Sequence, residues 1–394
     1  MKCFKLQALY KSSVPRLEIE GMRHGQTMVE SYKIQCGILG ATGMVGQRFI
    51  TLLQGHPWFE IVDVAASPQS AGKPYAEAVK DKWQQEGQVP DTLRDITVRD
   101  ANKIDSIDPS VKVVFSAIDL PNKDDIKALE VAYATKGLPV VSNNSACRWI
   151  PDVPMLIGEI NSDHADIIPA QQEHHGFPAP GCIVVKPNCS VQSYLMMVHA
   201  LEKAGYKVDK LIITTLQATS GAGYPGVPSL DLLDNVVPFI GGEEEKSEKE
   251  PWKILGKVED GQIVNDESIA ISATCTRVPV TDGHVASVNL KFRDEPPASI
   301  DEIIEIWRTY RGYPQEANLP FAPDPPIIYM EDETRPQPRK DRNNGRGMAI
   351  TVGRLRKDNV FDYKFVALSH NTIRGAAGGG ILSAEILKSK GYLG

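Results

Sequence analysis

The chain has 394 residues, a formal net charge of -7, 24% charged and 42% hydrophobic residues, which is ordinary globular usage and length enough for two domains with their own cores. An acidic balance without a basic stripe excludes a nucleic-acid binder that works by neutralising phosphates, and the lack of any window near eighteen apolar residues excludes a helical membrane span. Six cysteines scattered at 3, 36, 147, 182, 189 and 275, with no CxxC pair and no histidine at ligand spacing, exclude a disulfide framework and a metal site and suit a reducing compartment.

Residues 1–32 lack the apolar core of a secretory signal, and Glu18, Glu20 and Glu30 interrupt their basic residues. They read as a disordered extension. A cytoplasmic location is expected, with organellar import through this segment left open. From residue 33 short apolar runs alternate with amphipathic stretches. "YKIQCGIL" reads as a buried strand, "GATGMVG" as a glycine turn and "QRFITLLQG" as a helix. "FEIVDVAAS" and "KVVFSAID" are further strands, "KDDIKALEVAYATKG" a helix, and "LPVVSNN" and "CIVVKPN" the last strands of the run. Strands alternating with helices predict an α/β fold with a Rossmann-type, doubly wound parallel sheet.

After residue 189 the texture changes to long β-like runs such as "YKVDKLIITTLQATSG", "ESIAISATCTRVPV" and "DGHVASVNLKF". These predict an α+β second domain with a large mixed sheet, one face of which is shared in a homodimer or homotetramer. "PASIDEIIEIWRTY" is an amphipathic helix capped by Ser299. The proline-rich run 313–347 reads as a long surface excursion, and "GGGILSAEILKSKGY" as a terminal helix that returns to the first domain. The expected organisation is 1–32 extension, 33–188 dinucleotide domain, 189–367 catalytic and dimerisation domain, and 368–394 returning helix.

Gly40, Gly43 and Gly46 follow a strand and open a helix, a variant of the dinucleotide fingerprint in which backbone amides approach a pyrophosphate. The end of the next strand, "VAASPQSAGKPY", has Ser67, Ser70 and Lys73 but no acid for a ribose 2′-hydroxyl, which favours NADP(H) over NAD. Asp63 lies inside the strand and reads as structural. The second chemical signal is Cys189, in "VKPNCSVQSYLMMVHALEKAG", at what reads as the first turn of an apolar helix, where the macrodipole would stabilise a thiolate. Its acid–base partner is one of the histidines: His164, His174 and His175 before it, His199 on the following helix, or His284 between two strand-like runs.

The anchors "GILGATGMVGQRF", "KPNCS", "LQATSGAGYPGV", "EEEK", "RVPVTDGH" and "HNTIRGAAGGG" occur in order from about residue 33 to the C-terminus, and in this the chain resembles the aspartate-β-semialdehyde dehydrogenase family, especially its archaeal and fungal branch. The resemblance implies NADPH-dependent reductive dephosphorylation of L-aspartyl-4-phosphate through a cysteine thioester, in the biosynthesis of lysine, methionine and threonine. It assigns Cys189 as nucleophile, His284 as acid–base and Gln217 as the residue orienting substrate. It gives Arg277 to the substrate carboxylate, Glu243 to its amino group, Lys246 and Arg148 to the phosphate, and Asn188 to substrate binding. On the cofactor side it implies Gly40, Thr42, Gly43, Met44 and Val45 at the pyrophosphate, Ser67 and Ser70 at the 2′-phosphate, and Ser220, Gly221 and Asn371 near the nicotinamide. Glu244, Glu245, Glu248, Lys249 and Glu250 then read as a solvated charge run. Malonyl-CoA reduction on the same fold and a non-catalytic NADP-binding redox sensor are the alternatives.

Overall fold

A computed structural model of the chain describes residues 33–393; the expected extension 1–32 lies outside them. Six strands form the first sheet: β1 (Ile34–Leu39), β2 (Phe59–Ala66), β3 (Arg99–Asp100), β4 (Val113–Ser116), β5 (Pro139–Ser142) and β6 (Cys182–Val185), all parallel, in the order 3-2-1-4-5-6. The order reverses between β1 and β4, the place where such sheets open a crevice for a dinucleotide. Alternate residues of each strand enter two different cores, as the two-residue period of a strand requires. Cys36, Ile38, Val113, Phe115, Val141 and Val184 face one core with Phe49, Ile381 and Ile386, whereas Leu39, Val114, Val140 and Val185 face another with Ile126 and Tyr133. Both faces being covered, the strands are buried almost throughout, hence their continuous apolar runs.

The helices doing the covering are α1 (Met44–Leu52) and α2 (Lys123–Thr135), together with α3 (Ile168–His175). After α4 (Leu195–Lys203) the second sheet begins with β7 (Val208–Gln217). There follow α5 (Glu243–Ile254), a small hairpin of β8 (Lys257–Glu259) and β9 (Gln262–Val264), then β10 (Ala270–Arg277), β11 (His284–Phe292), α6 (Ile300–Thr309), β12 (Ile327–Met330), β13 (Ile350–Lys357), β14 (Tyr363–Ser369) and α7 (Gly378–Ser389). The sheet order is 10-7-11-14-13-12, parallel at the 10-7 and 12-13 pairs and antiparallel between. Along β7 burial alternates: Leu211 and Ile213 point into the core that holds Trp307, while Ile212 is 45% exposed and Leu216 37%. The Ser299 hydroxyl caps α6 by accepting from the Glu302 N–H at 3.1 Å.

The proline-rich run is not a surface excursion. It supplies the edge strand β12, and Leu319 and Phe321 are buried in the α1–α7 core. The Phe321 N–H donates to the buried Glu385 of α7. Leu319 and Phe321 lie in irregular turns, with neither helical nor strand period, so the pattern carried no warning. α7 itself packs on α1 and β5, and its Glu385 bonds His56 at 2.9 Å.

The segment between β14 and α7 is tied down by one ion pair. Arg374 donates to both oxygens of Glu159, at 2.7 and 2.5 Å, with side chains 1% and 0% exposed. Removing one partner strands a charge in the interior. Arg374→Ala is therefore expected to cost about 3–5 kcal/mol of stability, read as a lowered urea midpoint; a loss under about 1 kcal/mol would contradict the assigned role.

Candidate active site

The ends of β1, β4, β5 and β6 from one sheet and of β7 and β10 from the other open onto a single cleft of about 880 Å³. Thr42, Gly43, Met44, Val45, Arg148, Asn188, Cys189, Gln217, Ser220, Gly221, Glu243, Lys246, Arg277 and Asn371 all line it. His284 lies behind the nucleophile, fully buried, with Nε2 3.2 Å from Sγ of Cys189. The other four candidate histidines are engaged elsewhere. His164 meets the Gly256 carbonyl, His174 and His175 share Asp152, and His199 meets the Tyr310 hydroxyl.

Glycines make these approaches feasible. A Cβ at Gly375 would stand 2.7 Å from Cβ of Cys189, and one at Gly221 would stand 2.9 Å from Nη1 of Arg277 and 3.2 Å from Cε1 of His284. Arg277 also donates from Nη1 to the Ala218 carbonyl at 2.7 Å. Asn371 accepts from the Gly283 N–H and donates to the Ser220 hydroxyl, both at 2.8 Å.

The electrostatics differ from the expectation of a helix-stabilised thiolate. Cys189 precedes a short 3-10 turn, Val191–Ser193, and α4 starts only at Leu195, so the cysteine is not in the first turn of that helix. Burial, reinforced by the Glu243 charge, pushes the thiol up to about 12 against the pull of Arg148, Arg277 and Lys246. Burial and then the Arg277 charge push His284 down to about 3. Its Nδ1 accepts from the Ala218 N–H at 3.0 Å, so the neutral ring carries its proton on Nε2, facing sulfur. The resting pair is thiol and imidazole, both uncharged.

Glu243 accepts from Asn188 Nδ2 at 2.9 Å, from Gln217 Nε2 at 3.2 Å and from Lys246 Nζ at 2.8 Å. Burial opposes its charge, and these donors outweigh burial and hold the carboxyl below its usual range. The Asn188 side chain is thereby engaged with Glu243, and its Oδ1 accepts from the Ser190 N–H at 2.9 Å; it buttresses the site and does not extend freely into it.

The dinucleotide end fits its expected occupant. A Cβ at Gly40 would collide with the Ala117 carbonyl, and one at Gly46 with the Gly40 carbonyl, so only glycines let the turn close against β4 and α1. The first-turn amides of α1 lack intrahelical acceptors and border the cleft. Gly40 and Ser67 line an adjoining cavity of about 220 Å³ walled by Ala101, Ile118, Leu120 and Leu129. No carboxylate from the end of β2 enters it. Asp63 is held by Arg99, with Nε and Nη2 each 2.8 Å from an oxygen. Ser70 is the exception among the expected residues: its N–H bonds back to the Ser67 carbonyl, the turn carries it inward, and it is 5% exposed and lines neither cavity.

A family model for the semialdehyde dehydrogenase NAD binding domain matches residues 35–168, and one for the semialdehyde dehydrogenase dimerisation domain matches 198–374. The aspartate-semialdehyde dehydrogenase of Methanothermobacter thermautotrophicus is 44% identical over 360 residues, covering 90% of this chain and 99% of that protein. That of Schizosaccharomyces pombe is 44% identical over 364 residues, covering 91% and 98%. A crystal structure of the Candida albicans enzyme with NADP superposes with a TM-score of 0.83 at 40% identity, over 92% of this chain and all of that one. The chain belongs to the aspartate-semialdehyde dehydrogenase family.

For an aspartate-semialdehyde dehydrogenase, α5 holds more of the site than its sequence disclosed. Of the supposed charge run only Glu245 and Lys249 form a solvated pair, 2.9 Å apart. Glu244 and Glu248 accept the edge-strand N–H groups of Cys275 and Ala273. Glu250 is fully buried and bonds Arg148 and the Asn188 N–H. The available signal was helical spacing, since position 250 lies seven residues beyond Glu243 and shares its face. Asn143 was also missed; it lines the cleft with both side-chain polar atoms buried and unpartnered among the described residues.

A thiol raised by burial is protonated at neutral pH, and its thiolate fraction grows about tenfold per pH unit below its pKa. Without added substrate, inactivation of this protein by iodoacetamide is expected to rise through pH 6–9 without levelling off. A plateau near neutrality would show a stabilised thiolate instead.

Proposed function

We propose that the chain reduces L-aspartyl-4-phosphate to L-aspartate-4-semialdehyde with NADPH, through a thioester on Cys189, in the supply of lysine, methionine and threonine. The observation that carries this reading is the company around the Cys189–His284 pair. Arg148, Lys246, Arg277 and Glu243 all border the cleft that holds Cys189, a set complementary to a small substrate with a carboxylate, a phosphate and an ammonium group. Arg277 suits the carboxylate by its planar fork, Glu243 the ammonium, and Arg148 and Lys246 the phosphate.

In the first step Sγ bonds to the acyl carbon, the carbon–oxygen bond to phosphate breaks, and the thiol proton leaves with the phosphate. Gln217 and Arg277 hold the acyl group over sulfur while Arg148 and Lys246 receive the leaving oxyanion. NADPH, when bound, supplies the hydride that reduces the thioester carbon. His284 then acts where charge develops: its Nε2–H donates to the carbonyl oxygen as that oxygen becomes anionic, the part a neutral imidazole of depressed pKa can play. To take a proton it must first release the Ala218 N–H. Collapse expels the sulfur, which regains a proton from solvent, and the aldehyde leaves.

The test is NADPH formation from aspartate semialdehyde, NADP and inorganic phosphate. Phosphate-dependent formation that vanishes in Cys189→Ala, with cofactor binding retained, is the expected result; His284→Ala should lose about 10²–10⁴ in rate. No signal here but NADPH oxidation with malonyl-CoA would overturn the substrate, and silence in both assays the enzymatic reading.

The exposed face of β7, with Ile212 and Leu216, belongs to the part matched by the dimerisation domain, and we read it as the contact between two copies. Size-exclusion chromatography at two concentrations is expected to give a dimer or tetramer, and monomer alone would refute this. The described cysteines are all free, which supports a reducing, cytoplasmic setting.

A further inference from the structure

Four ionisable residues of α5, at 243, 246, 250 and 253, recur at spacings of three and four and so lie on one face of the helix. Two of them reach the cleft. The other two reach behind it, to the loop after β5 that carries Arg148. Glu250 gives one oxygen to Arg148, Oε1 to Nη1 at 2.7 Å, and the other to the nucleophile loop, Oε2 to the Asn188 N–H at 2.5 Å. Its side chain is 0% exposed and that of Arg148 is 7%. One turn further on, Lys253 Nζ donates to the carbonyls of Arg148 and Ile150 at 2.7 and 2.6 Å. The helix thus grips Arg148 by both its guanidinium and its backbone.

The guanidinium is held with several of its five N–H donors left over. Nη1 is taken by Glu250, Nη2 donates to the Asn143 carbonyl at 3.2 Å, and Nε is buried without an acceptor among the described residues. A buried guanidinium N–H without a partner is costly, and Arg148 borders the cleft. The N–H groups left over on this guanidinium are therefore what an oxyanion arriving from the cleft can engage. The ion pair fixes the orientation of the guanidinium, and the second oxygen of the same carboxylate holds the Pro187–Asn188 peptide, one residue before Cys189.

We propose that Glu250 is a positioning residue for the phosphate: it orients Arg148 toward the departing or incoming oxyanion and registers that guanidinium to the nucleophile loop. The proposal rests on the reading of Arg148 as a phosphate contact. It assigns to Glu250 an effect on phosphate distinct from any effect on aspartate semialdehyde or NADP. Removing its charge while keeping its shape turns an acceptor facing Arg148 into an amide. That amide can keep either the Arg148 bond or the Asn188 bond through its one carbonyl oxygen, but not both with full charge.

The experiment compares wild type with Glu250→Gln, Glu250→Asp, Arg148→Ala and the double variant Arg148→Ala/Glu250→Gln in the phosphate-dependent direction. Phosphate affinity is measured separately, without turnover, as protection of Cys189 from iodoacetamide by inorganic phosphate. The expected result for Glu250→Gln is a rise of about tenfold or more in KM for phosphate and in the concentration giving half protection, with KM for aspartate semialdehyde and NADP within about twofold; a charge-assisted bond is of the size that gives such a change. Glu250→Asp should fall between Gln and wild type, and it keeps the test open if the Gln variant does not fold. In the Arg148→Ala background the Gln substitution should add nothing to the phosphate defect. If Arg148→Ala leaves both phosphate readouts unchanged, the reading of Arg148 is wrong and the proposal goes with it. If Arg148→Ala weakens phosphate but Glu250→Gln and Glu250→Asp leave it unaltered, or raise all three KM values alike, Glu250 is structural only and the proposal is overturned.

Discussion

The cleft stands on two carboxylates that never meet water. Glu159 holds Arg374, and with it the segment that slides Gly375 beneath Cys189; Glu250 holds Arg148 and the peptide preceding the same cysteine. Between them the nucleophile is fixed from below and from the side by groups that are distant in sequence. Neither pair is an economical route to stability, because desolvating two charges consumes most of what their attraction returns. What such pairs provide is geometry: a guanidinium fork and a carboxylate accept few relative orientations, whereas an apolar contact of the same volume accepts many.

The resting chemistry follows from burial. A cysteine and a histidine 3.2 Å apart invite comparison with ion-paired thiol enzymes, yet here both groups are shifted away from charge, the thiol upward and the imidazole downward. The Ala218 N–H reinforces this by occupying Nδ1, since an imidazolium would face that N–H with a second donor. The site is thus arranged for charge that develops on substrate oxygen and sulfur during reaction, not for charge stored beforehand.

Much of this was legible in the residues because the signals were local. The parallel sheet announces itself by continuous apolar strands between amphipathic helices, the cofactor turn by glycines whose Cβ positions are filled by Ala117 and Gly40 carbonyls, and the α6 cap by Ser299. What stayed hidden depends on contacts across the chain. Glu250 looks solvated until α5 is laid over Arg148. Leu319 and Phe321 look like loop residues until α7 offers Glu385 and an apolar bed. Cys189 appears to open a helix because its neighbours are apolar, but the backbone takes a 3-10 turn first, and desolvation decides its protonation. Ser70 has suitable chemistry at suitable spacing and is turned inward by one backbone bond to Ser67.

The return of α7 to the first sheet makes the nucleophile depend on a distant part of the chain. The core between α1 and β5 is incomplete without Ile381, Leu382 and Ile386, and the segment just before α7 brings Gly375 to Cys189 and Arg374 to Glu159. Without that segment both the Gly375 contact with Cys189 and the Arg374–Glu159 pair are missing, and the nucleophile loop loses its support from below. Docking of α7 on the first sheet, and not the folding of either sheet alone, is what completes the surroundings of that thiol.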